Sequence, residues 1–313
     1  MADSRPRIAV TPPAFCKSAT LRDALCKSFP QSIFNEKNRY LTEPELITFL
    51  QDAEGAIIGR DPVHEKMIKA LPRLKIIAKY GVGLDNIDQE ALCRHNVKFG
   101  WTGGTNSLSV AELTLGFMIG LCHNTFSRGF ALKQNDWQKD GGTQLTGKTV
   151  GIIGCGHAGS EVVRLLAPFQ CRILVRDIVD KTGFCRNHAA QVASLDEVIE
   201  QSDILTLHVP LTDATRNLVA EKTLAQMKST AFLINTSRGE VVDQNALKAS
   251  LKNGGIAGAA LDVFSKEPPE DAEFLALPNL IATPHIGGNT VEAVEAMGRA
   301  AIAHLEDFFR MEK

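Results

Sequence analysis

Three polar side chains that could share one chemical task follow apolar runs in the second half of the chain. Arg238 follows the run FLIN, Glu267 lies beyond GAAL, and His285 comes soon after LIA. Short apolar runs bounded by turn residues predict buried strands, and ligands bind where the carboxyl ends of parallel strands meet. We therefore expect these three residues to converge in one crevice.

The three residue types suit proton exchange on a substrate that carries a carboxylate. A guanidinium can hold a carboxylate and polarise a carbonyl, and a histidine can trade a hydroxyl proton near neutral pH. A carboxylate beside that histidine would orient it and favour its charged form. Taken singly, Arg238 is more often a surface or helix-capping residue, Glu267 a solvated loop acid, and His285 as often structural as catalytic. Their joint occurrence favours chemistry.

A glycine-rich turn, GCGHAG, lies upstream of these residues and predicts a dinucleotide site. It follows the apolar run VGII and opens an amphipathic helical pattern. Gly154 permits a tight turn, Gly156 allows backbone to approach a pyrophosphate, and Gly159 allows close packing of helix on strand. The N–H groups at the start of the helix would then face the phosphates. A glycine motif alone is weak evidence, but this strand–turn–helix context makes it specific.

Asp177 ends the next apolar run and decides which dinucleotide the motif favours. Its carboxylate would accept hydrogen bonds from the ribose hydroxyls and repel a 2′-phosphate, so we expect NAD rather than NADP. Arg176 is the neighbour that could tolerate that phosphate, although an arginine at a strand end is more often simply solvated. With hydride chemistry supplied by NAD, the three polar residues would complete an oxidoreductase site.

The elements that must position these residues alternate between strand and helix patterns along the whole chain. This alternation predicts parallel sheets with helical crossovers, and 313 residues are enough for two domains. A long apolar helix runs over 107–122, and a polar arm over 126–143 follows it. At least five strands after the glycine motif predict a doubly wound nucleotide-binding domain.

Composition excludes several classes of protein. The net charge of -2 gives no electrostatic case for nucleic acid or an anionic membrane, so we expect neither as a partner. Seven scattered cysteines without a C-x-x-C pair argue for reduced thiols and against a zinc site, and no metal is expected. The first residues lack the apolar core of a secretory signal, so a cytoplasmic protein is predicted.

The chain as a whole resembles the D-isomer-specific 2-hydroxyacid dehydrogenases, and most closely their phosphoglycerate dehydrogenase-like branch. Besides the glycine motif, the resemblance is carried by YGVGLDNID, TNSLSVAEL, LHVPLTDATRNLV, NTSRGEVVD, GAALDVFSKEP and TPHIGG. It implies an NAD-dependent enzyme with His285 as proton donor, Glu267 as its partner and Arg238 as the carboxylate and carbonyl contact. It also implies that the backbone N–H groups of Val82 and Gly83 hold the substrate carboxylate. The implied cofactor contacts are Asp262 at the nicotinamide amide, His157 and Ala158 at the pyrophosphate, and Val209, Pro210, Thr236 and Ser237 along the rest of the molecule.

The same resemblance implies two Rossmann-like doubly wound domains, of which the substrate domain is flavodoxin-like. The NAD-binding domain would cover 104–286, and the discontinuous substrate domain would cover 1–103 and 287–313. The apolar helix and the arm after it, together with the resemblance, predict a homodimer.

The substrate prediction depends on two basic residues. Arg60 lies near the position where phosphoglycerate dehydrogenases place a substrate-binding arginine, and Lys79 precedes the YGVG loop. Both suggest a second anionic group on the substrate, as in a 3-phosphoglycerate-like hydroxyacid, unless they are solvated residues on a domain rim. A glyoxylate or hydroxypyruvate reductase is the alternative within the family. An NAD-sensing, corepressor-like binding protein is the alternative from a different class.

Overall fold

Short buried strands and the helices between them build two parallel sheets. The computed structural model describes residues 5–311. Backbone contacts divide the chain into two units, one of Met1–Asn106 with Gly288–Lys313 and one of Ser107–Gly287. The predicted α/β class with two doubly wound sheets is confirmed.

The helices and strands are numbered in chain order. The first unit begins with β1 (Ile8–Val10), α1 (Pro13–Lys17), α2 (Ala19–Ser28), β2 (Ile33–Phe34), α3 (Glu43–Leu50), β3 (Gly55–Ile58), α4 (Glu65–Lys69), β4 (Ile76–Lys79), α5 (Gln89–Arg94) and β5 (Lys98–Gly100). The second unit contains α6 (Ser107–Cys122), α7 (Thr125–Lys133), β6 (Thr149–Ile153), α8 (His157–Leu166), β7 (Arg172–Arg176), α9 (Thr182–Asn187), β8 (Ala190–Val192), α10 (Leu195–Gln201), β9 (Ile204–Leu207), α11 (Glu221–Gln226), β10 (Phe232–Asn235), α12 (Gln244–Asn253), β11 (Gly258–Leu261), α13 (Ala272–Leu275) and β12 (Leu280–Ala282). The last helix, α14 (Val291–Met311), belongs to the first unit.

The first sheet has the strand order β2-β1-β3-β4-β5, which is the flavodoxin-like order. All of its strand pairs are parallel. One apolar core lies under α3, α4 and α5, and a second joins α1, α2 and α14. The central strands β1, β3 and β4 are buried on both faces, which explains why they read as continuous apolar runs.

The second sheet has the order β12-β11-β10-β9-β6-β7-β8, again with every pair parallel. The chain starts in the middle at β6, runs outward through β7 and β8, and then returns to β9 on the other side. That reversal between β6 and β9 is a topological switch point, and ligands of open α/β sheets bind beside such points. The glycine motif follows β6 and therefore lies at this point.

Local signals and structure agree at most elements and differ at a few. Helix α3 begins after Thr42, where the Glu45 carboxylate accepts the Thr42 N–H at 2.9 Å in a capping box. Helix α7 occupies nearly half of the polar arm over 126–143 and exposes Phe126 and Phe130 to solvent. The polar composition of this segment gave no clear helical pattern. The spacing of four residues between the two phenylalanines, which places them on one helical face, is the signal that was present. Among residues 5–311, no helix combines the length and apolarity needed to cross a membrane.

Candidate active site

The residues that follow five neighbouring strands of the second sheet lie in line at its carboxyl edge. Ile153 pairs with Leu207, Leu207 with Asn235, Asn235 with Leu261, and Leu261 with Ala282. The residues next in the chain are therefore neighbours along this edge; they are Gly154, His208, Thr236, Asp262 and Thr283. Every predicted residue of the second unit lies on this edge, in the loops that leave it or in the first turn of α8.

Each glycine of the turn has its own steric reason. Gly154 has φ +90°, and a Cβ there would be 2.5 Å from the carbonyl oxygen of His208. A Cβ on Gly159 would be 2.1 Å from the carbonyl oxygen of Gly154, so α8 packs directly on the turn. A Cβ on Gly156 would meet no atom within 4 Å, so the turn is open on that side. The closed and open positions fit a pyrophosphate against the start of α8, where His157 and Ala158 stand.

Two backbone donors fix the Asp177 carboxylate over the glycine turn. Its Oδ2 accepts the Cys155 N–H at 2.6 Å, and its Oδ1 accepts the Val179 N–H at 2.8 Å. Asp177 follows β7, whose Arg176 pairs with Ile153 at the end of β6. The carboxylate is thus held beside the turn before any ligand binds. Such a fixed negative charge suits ribose hydroxyls and opposes a phosphate.

The side chains of Glu267 and His285 are in direct hydrogen-bonding contact. Nδ1 of His285 lies 3.0 Å from Oε1 and 2.9 Å from Oε2 of Glu267, and both side chains are mostly shielded from solvent. Oε1 of Glu267 also accepts the Phe264 N–H at 3.1 Å, which orients the carboxylate. Because Nδ1 faces the carboxylate, the opposite nitrogen Nε2 is the one directed toward other chemistry.

The backbone of His285 adopts a left-handed conformation that side-chain-bearing residues seldom use. Its φ is +55°, and its N–H donates to the Thr283 carbonyl at 3.0 Å in a tight turn. Such a conformation costs about 1–3 kcal/mol and persists only where surrounding contacts enforce it. The contacts that enforce it come from Asp262.

Asp262 is 1% exposed and binds the His285 loop at three points. Its Oδ1 accepts the Thr283 hydroxyl at 2.6 Å and the Ile286 N–H at 2.8 Å, and its Oδ2 accepts the Gly287 N–H at 2.7 Å. The family resemblance implies that Asp262 contacts the nicotinamide amide, and the structure adds its role in holding the His285 loop. A carboxylate offers about four acceptor sites, so one remains for a carboxamide N–H.

Arg238 is carried by a turn that Asn235 builds. The buried Asn235 side chain donates to the Arg238 carbonyl at 2.8 Å and accepts from the Ser237 N–H at 3.0 Å and hydroxyl at 2.8 Å. The next residue is Gly239, where a Cβ would lie 1.9 Å from the carbonyl carbon of Phe264. Only glycine allows this approach, which brings the Arg238 turn against the loop that also orients Glu267.

The remaining cofactor residues lie along the same edge. Val209 packs on the turn, since its Cγ1 would be 2.8 Å from a Cβ at Gly154. Thr236 is buried, with its hydroxyl 3.0 Å from that of Thr114 in α6. Pro210 is exposed, and its carbonyl accepts the Thr215 hydroxyl at 2.6 Å.

The predicted substrate residues Arg60, Val82 and Gly83 belong to the first unit. Arg60 follows β3 and is exposed, with its guanidinium 5.7 Å from the ring centre of Tyr40. Val82 and Gly83 are partly exposed and follow β4. Lys79 differs from Arg60, because it is 5% exposed and its ammonium donates to the Gly59 carbonyl and to Asn86 Oδ1. Lys79 therefore ties together the segments after β3 and β4.

Sequence reasoning did not identify Asn235 and Gly239 as parts of this site. Both stand inside the NTSRGE motif, and a glycine directly after the predicted arginine is the signal that could have revealed the close approach. Among the described residues 5–311, no group of three or more His, Cys, Asp or Glu side chains could hold a metal ion.

This chain is similar to known proteins in both sequence and fold. The family model described as D-isomer specific 2-hydroxyacid dehydrogenase, NAD binding domain, matches residues 115–287. D-3-phosphoglycerate dehydrogenase of Methanocaldococcus jannaschii is 36% identical over 276 residues, which cover 87% of this chain and 53% of that protein. Hydroxypyruvate reductase of Thermotoga maritima is 34% identical over 289 residues, covering 89% and 94% respectively. The NAD⁺-bound 3-phosphoglycerate dehydrogenase of Entamoeba histolytica superposes with a TM-score of 0.82 at 27% identity, covering 99% of this chain and 97% of that one. The chain spans about half the length of the Methanocaldococcus and mammalian phosphoglycerate dehydrogenases it matches.

Proposed function

We propose, because this chain belongs to the D-isomer specific 2-hydroxyacid dehydrogenase family, that it interconverts a D-2-hydroxyacid and its 2-oxoacid with NAD as cofactor. The observation that carries the proposal is the contact of both Glu267 carboxylate oxygens with Nδ1 of His285. This pair stands at the carboxyl edge of the sheet that also carries the glycine turn. A proton-exchanging group and a dinucleotide site on one edge are what hydroxyacid oxidation requires.

The chain's own residues handle the proton and the substrate charge. When bound, NAD supplies the hydride acceptor or donor. In the reducing direction, His285 would give the proton on Nε2 to the carbonyl oxygen of the 2-oxoacid as the hydroxyl forms. In the oxidising direction, the same nitrogen would accept the hydroxyl proton. Glu267 stabilises the imidazolium in both directions, and Arg238 would hold the substrate carboxylate and polarise the carbonyl.

The residues that would hold NAD are those that surround the glycine turn. Gly156 leaves room for the pyrophosphate, Gly154 and Gly159 close the turn behind it, and the start of α8 offers N–H groups to it. The fixed Asp177 carboxylate would bind the ribose hydroxyls. Thr236, Ser237, Val209 and Pro210 would line the rest of the cofactor, and Asp262 would accept from the carboxamide.

For the substrate, we propose a small hydroxyacid with a second anionic group, such as 3-phosphoglycerate. The support is the exposed Arg60 guanidinium at the carboxyl end of β3, beside Tyr40, with the carboxylate proposed to bind the Val82 and Gly83 N–H groups. Arg60→Ala should raise the KM for phosphohydroxypyruvate about tenfold or more and leave the KM for hydroxypyruvate nearly unchanged. Equal effects on both substrates would contradict the assignment.

A glyoxylate or hydroxypyruvate reductase is the second candidate. It is favoured by the hydroxypyruvate reductase relative, of which the match covers 94% of the length. NADH oxidation against phosphohydroxypyruvate, hydroxypyruvate, glyoxylate, pyruvate and 2-oxoglutarate separates the two candidates. The same assay tests a binding protein that only senses NAD, since such a protein would bind NADH and oxidise none.

The sharpest test of the mechanism is His285→Ala. We expect turnover to fall about 10²–10⁴-fold, the range for loss of a general acid, while the dissociation constant of NADH stays within a few-fold. His188→Ala is the control, because His188 stacks on Phe184 and stands on the other arm of the sheet. Loss of NADH binding in step with turnover would contradict the catalytic assignment.

We also propose that the protein forms a homodimer through α6 and α7. Helix α7 has no buried residue, and it exposes Phe126, Phe130 and Leu132, while α6 exposes Leu108 and Ile119. Exposed apolar surface of this density is typical of protein–protein interfaces. Light scattering of the wild type should give twice the chain mass, and Phe130→Asp should lower it; a monomeric wild type would contradict the proposal.

A cytoplasmic location is proposed from the thiols. All seven cysteines are free in the structure, and Cys16, Cys122, Cys155 and Cys185 are buried. Unpaired cysteines in this number are typical of reducing compartments. Titration with a thiol reagent after denaturation should give seven reactive groups in protein prepared without reductant.

A further inference from the structure

Trp101 makes a hydrogen bond to the loop that is proposed to hold the substrate carboxylate. Its indole Nε1 donates to the Val82 carbonyl oxygen at 3.2 Å. Trp101 directly follows β5, and the loop follows β4, which pairs with β5 so that Ala78 lies opposite Gly100. Both residues are therefore at the carboxyl edge of the first sheet.

The indole stands on a backbone that is fixed on both sides. Before it, Gly100 packs so closely on His304 that a Cβ would be 2.5 Å from the histidine Cβ. After it, the Thr102 hydroxyl lies 2.9 Å from His304 Nε2. The helix α14 thus anchors the two neighbours of Trp101, which limits the directions the ring can take.

The peptide that accepts this bond lacks comparable anchors of its own. Tyr80 is held at one end of the loop, where its N–H donates to the Ile58 carbonyl at 2.9 Å. Between there and Leu84, Val82 is flanked by two glycines, and Gly81 has φ +104°. Glycines on both sides allow the Val82–Gly83 peptide plane to rotate easily. A bond from an anchored side chain would remove that freedom.

The orientation of one end of a peptide plane fixes the other. The carbonyl of Val82 and the N–H of Gly83 belong to the same planar trans unit and point in opposite directions. When the indole holds the carbonyl on its own side, the Gly83 N–H is turned to the side away from the indole. That N–H is one of the two donors proposed for the substrate carboxylate.

We propose that Trp101 is a positioning residue that presents the Gly83 N–H to the substrate carboxylate. This inference rests on the proposed function, because it needs a carboxylate in that loop. It acts through Gly83 and requires no contact between the indole and the substrate. Since the carboxylate is held alike before and during the reaction, loss of the bond should weaken substrate binding more than it slows turnover.

The variant Trp101→Phe keeps an aromatic ring and removes only the N–H donor. We expect the KM for the best 2-oxoacid and the inhibition constant of oxalate to rise together, about three- to tenfold, which is the net worth of one neutral hydrogen bond. We expect kcat and the KM for NADH to change less than about twofold, because neither depends on this peptide. Unchanged constants for both carboxylates in a folded variant would overturn the proposal.

A second measurement decides the matter if Trp101→Phe folds poorly. The chain has two tryptophans, so Trp137→Phe leaves Trp101 as the single emitter. An anion on the Gly83 N–H polarises the peptide and strengthens the indole bond, so oxalate should shift the emission with a midpoint equal to its inhibition constant. An emission that stays constant at saturating oxalate would overturn the proposal.

The outcome of each test is separable from the fate of the proposed function. If the wild-type protein turns over no 2-oxoacid and binds no oxalate, the proposed function itself is wrong. If the wild type is active and Trp101→Phe behaves like it, the function stands and only the role of Trp101 is wrong.

Discussion

Replacing Asp262 by Asn tests whether the site depends on the negative charge of this buried carboxylate. Asp262 holds the Thr283 hydroxyl and the N–H groups of Ile286 and Gly287, at 2.6, 2.8 and 2.7 Å. The substitution keeps the size and shape of the side chain. It removes the charge and converts one acceptor oxygen into an NH₂ donor.

The magnitude follows from which oxygen is lost. The less harmful orientation keeps the carbonyl oxygen facing Thr283 and Ile286, and then turns the NH₂ group toward the Gly287 N–H. One charge-assisted hydrogen bond disappears, and a buried N–H meets another donor, which together cost about 2–4 kcal/mol of unfolding free energy. The opposite orientation loses two bonds and costs more. A Cβ on Gly287 would be only 2.9 Å from Asp262 Oδ2, so the loop packs closely on the carboxylate that the substitution changes.

Part of this cost should appear in catalysis, because the loop holds His285 at its left-handed φ. If half of it relaxes the loop before the reaction, kcat falls about 5- to 30-fold, since 1.36 kcal/mol corresponds to one factor of ten. We expect the dissociation constant of NADH to change less than kcat. A rise in that constant as large as the loss of kcat would mean that Asp262 acts mainly as a cofactor contact.

The assays are urea unfolding, NADH titration and steady-state kinetics on purified variants. Asp243→Asn is the matched control, because Asp243 caps α12 by accepting the N–H groups of Asn245 and Ala246, and asparagine caps equally well. We expect that control to stay within about 0.5 kcal/mol of the wild type. Asp262→Asn with wild-type stability and wild-type kcat would refute the reasoning.

Three further predictions concern the cofactor turn, the close packing at Gly239 and the partly buried His208. Asp177→Ser should lower the preference for NADH over NADPH by about tenfold or more, because the carboxylate that repels the 2′-phosphate is gone. The preference is measured as the ratio of the two kcat/KM values. Asp196→Ser, at the exposed start of α10, is the control and should leave this ratio unchanged. Gly239→Ala should cost about 1–3 kcal/mol in urea unfolding, since its Cβ would meet the Phe264 backbone at 1.9 Å; Gly183→Ala, whose Cβ meets no atom within 4 Å, should not destabilise. Burial lowers the pKa of His208 in the folded protein to about 4. In the unfolded chain the pKa of this histidine is near 6.5, so between pH 4 and pH 6.5 the unfolded chain binds more protons than the folded protein. The free energy of unfolding is therefore highest above pH 6.5 and declines as the pH falls toward 4. The loss is about 3 kcal/mol, and His208→Asn should flatten that decline; equal slopes in both proteins would contradict it.

The glycine turn shows what a sequence can predict about such a site. Gly154 turns the chain directly after β6 with φ +90°, and Gly159 packs on the carbonyl oxygen of Gly154 five residues before it. Asp177 is near in the chain as well, since strand pairing carries it back beside Gly154. Local tasks restrict residue types at fixed spacings, so the spacings reveal the tasks. The same reasoning applies to the start of α3, where Thr42 and Glu45 have the spacing of a capping box.

Contacts between distant segments could not be predicted in this way. Asp262 and Ile286 are 24 residues apart, and Trp101 and Val82 are 19 apart. The local sequence around Asp262 or Trp101 does not indicate which residue its side chain will contact. Lys79 is a further case, because the local sequence did not indicate that its ammonium would be buried and donate to the Gly59 carbonyl and to Asn86. The presence of a charged residue at the end of a predicted strand does not indicate whether its side chain will be buried or exposed.

The long-range contacts share one feature that bears on how the site works. In each case an anchored side chain fixes a short loop that has weak local preferences: Asp262 fixes the turn at His285, and Trp101 fixes the peptide at Val82. Asn235 does the same for the turn at Arg238 from a nearby position in the chain. Such loops can place a donor or a proton carrier within a fraction of an ångström only if a second residue holds them. The functional groups therefore depend on supporting residues that need not touch the substrate. A mutation in this supporting set should alter KM or kcat selectively, whereas a mutation in either core should lower stability first.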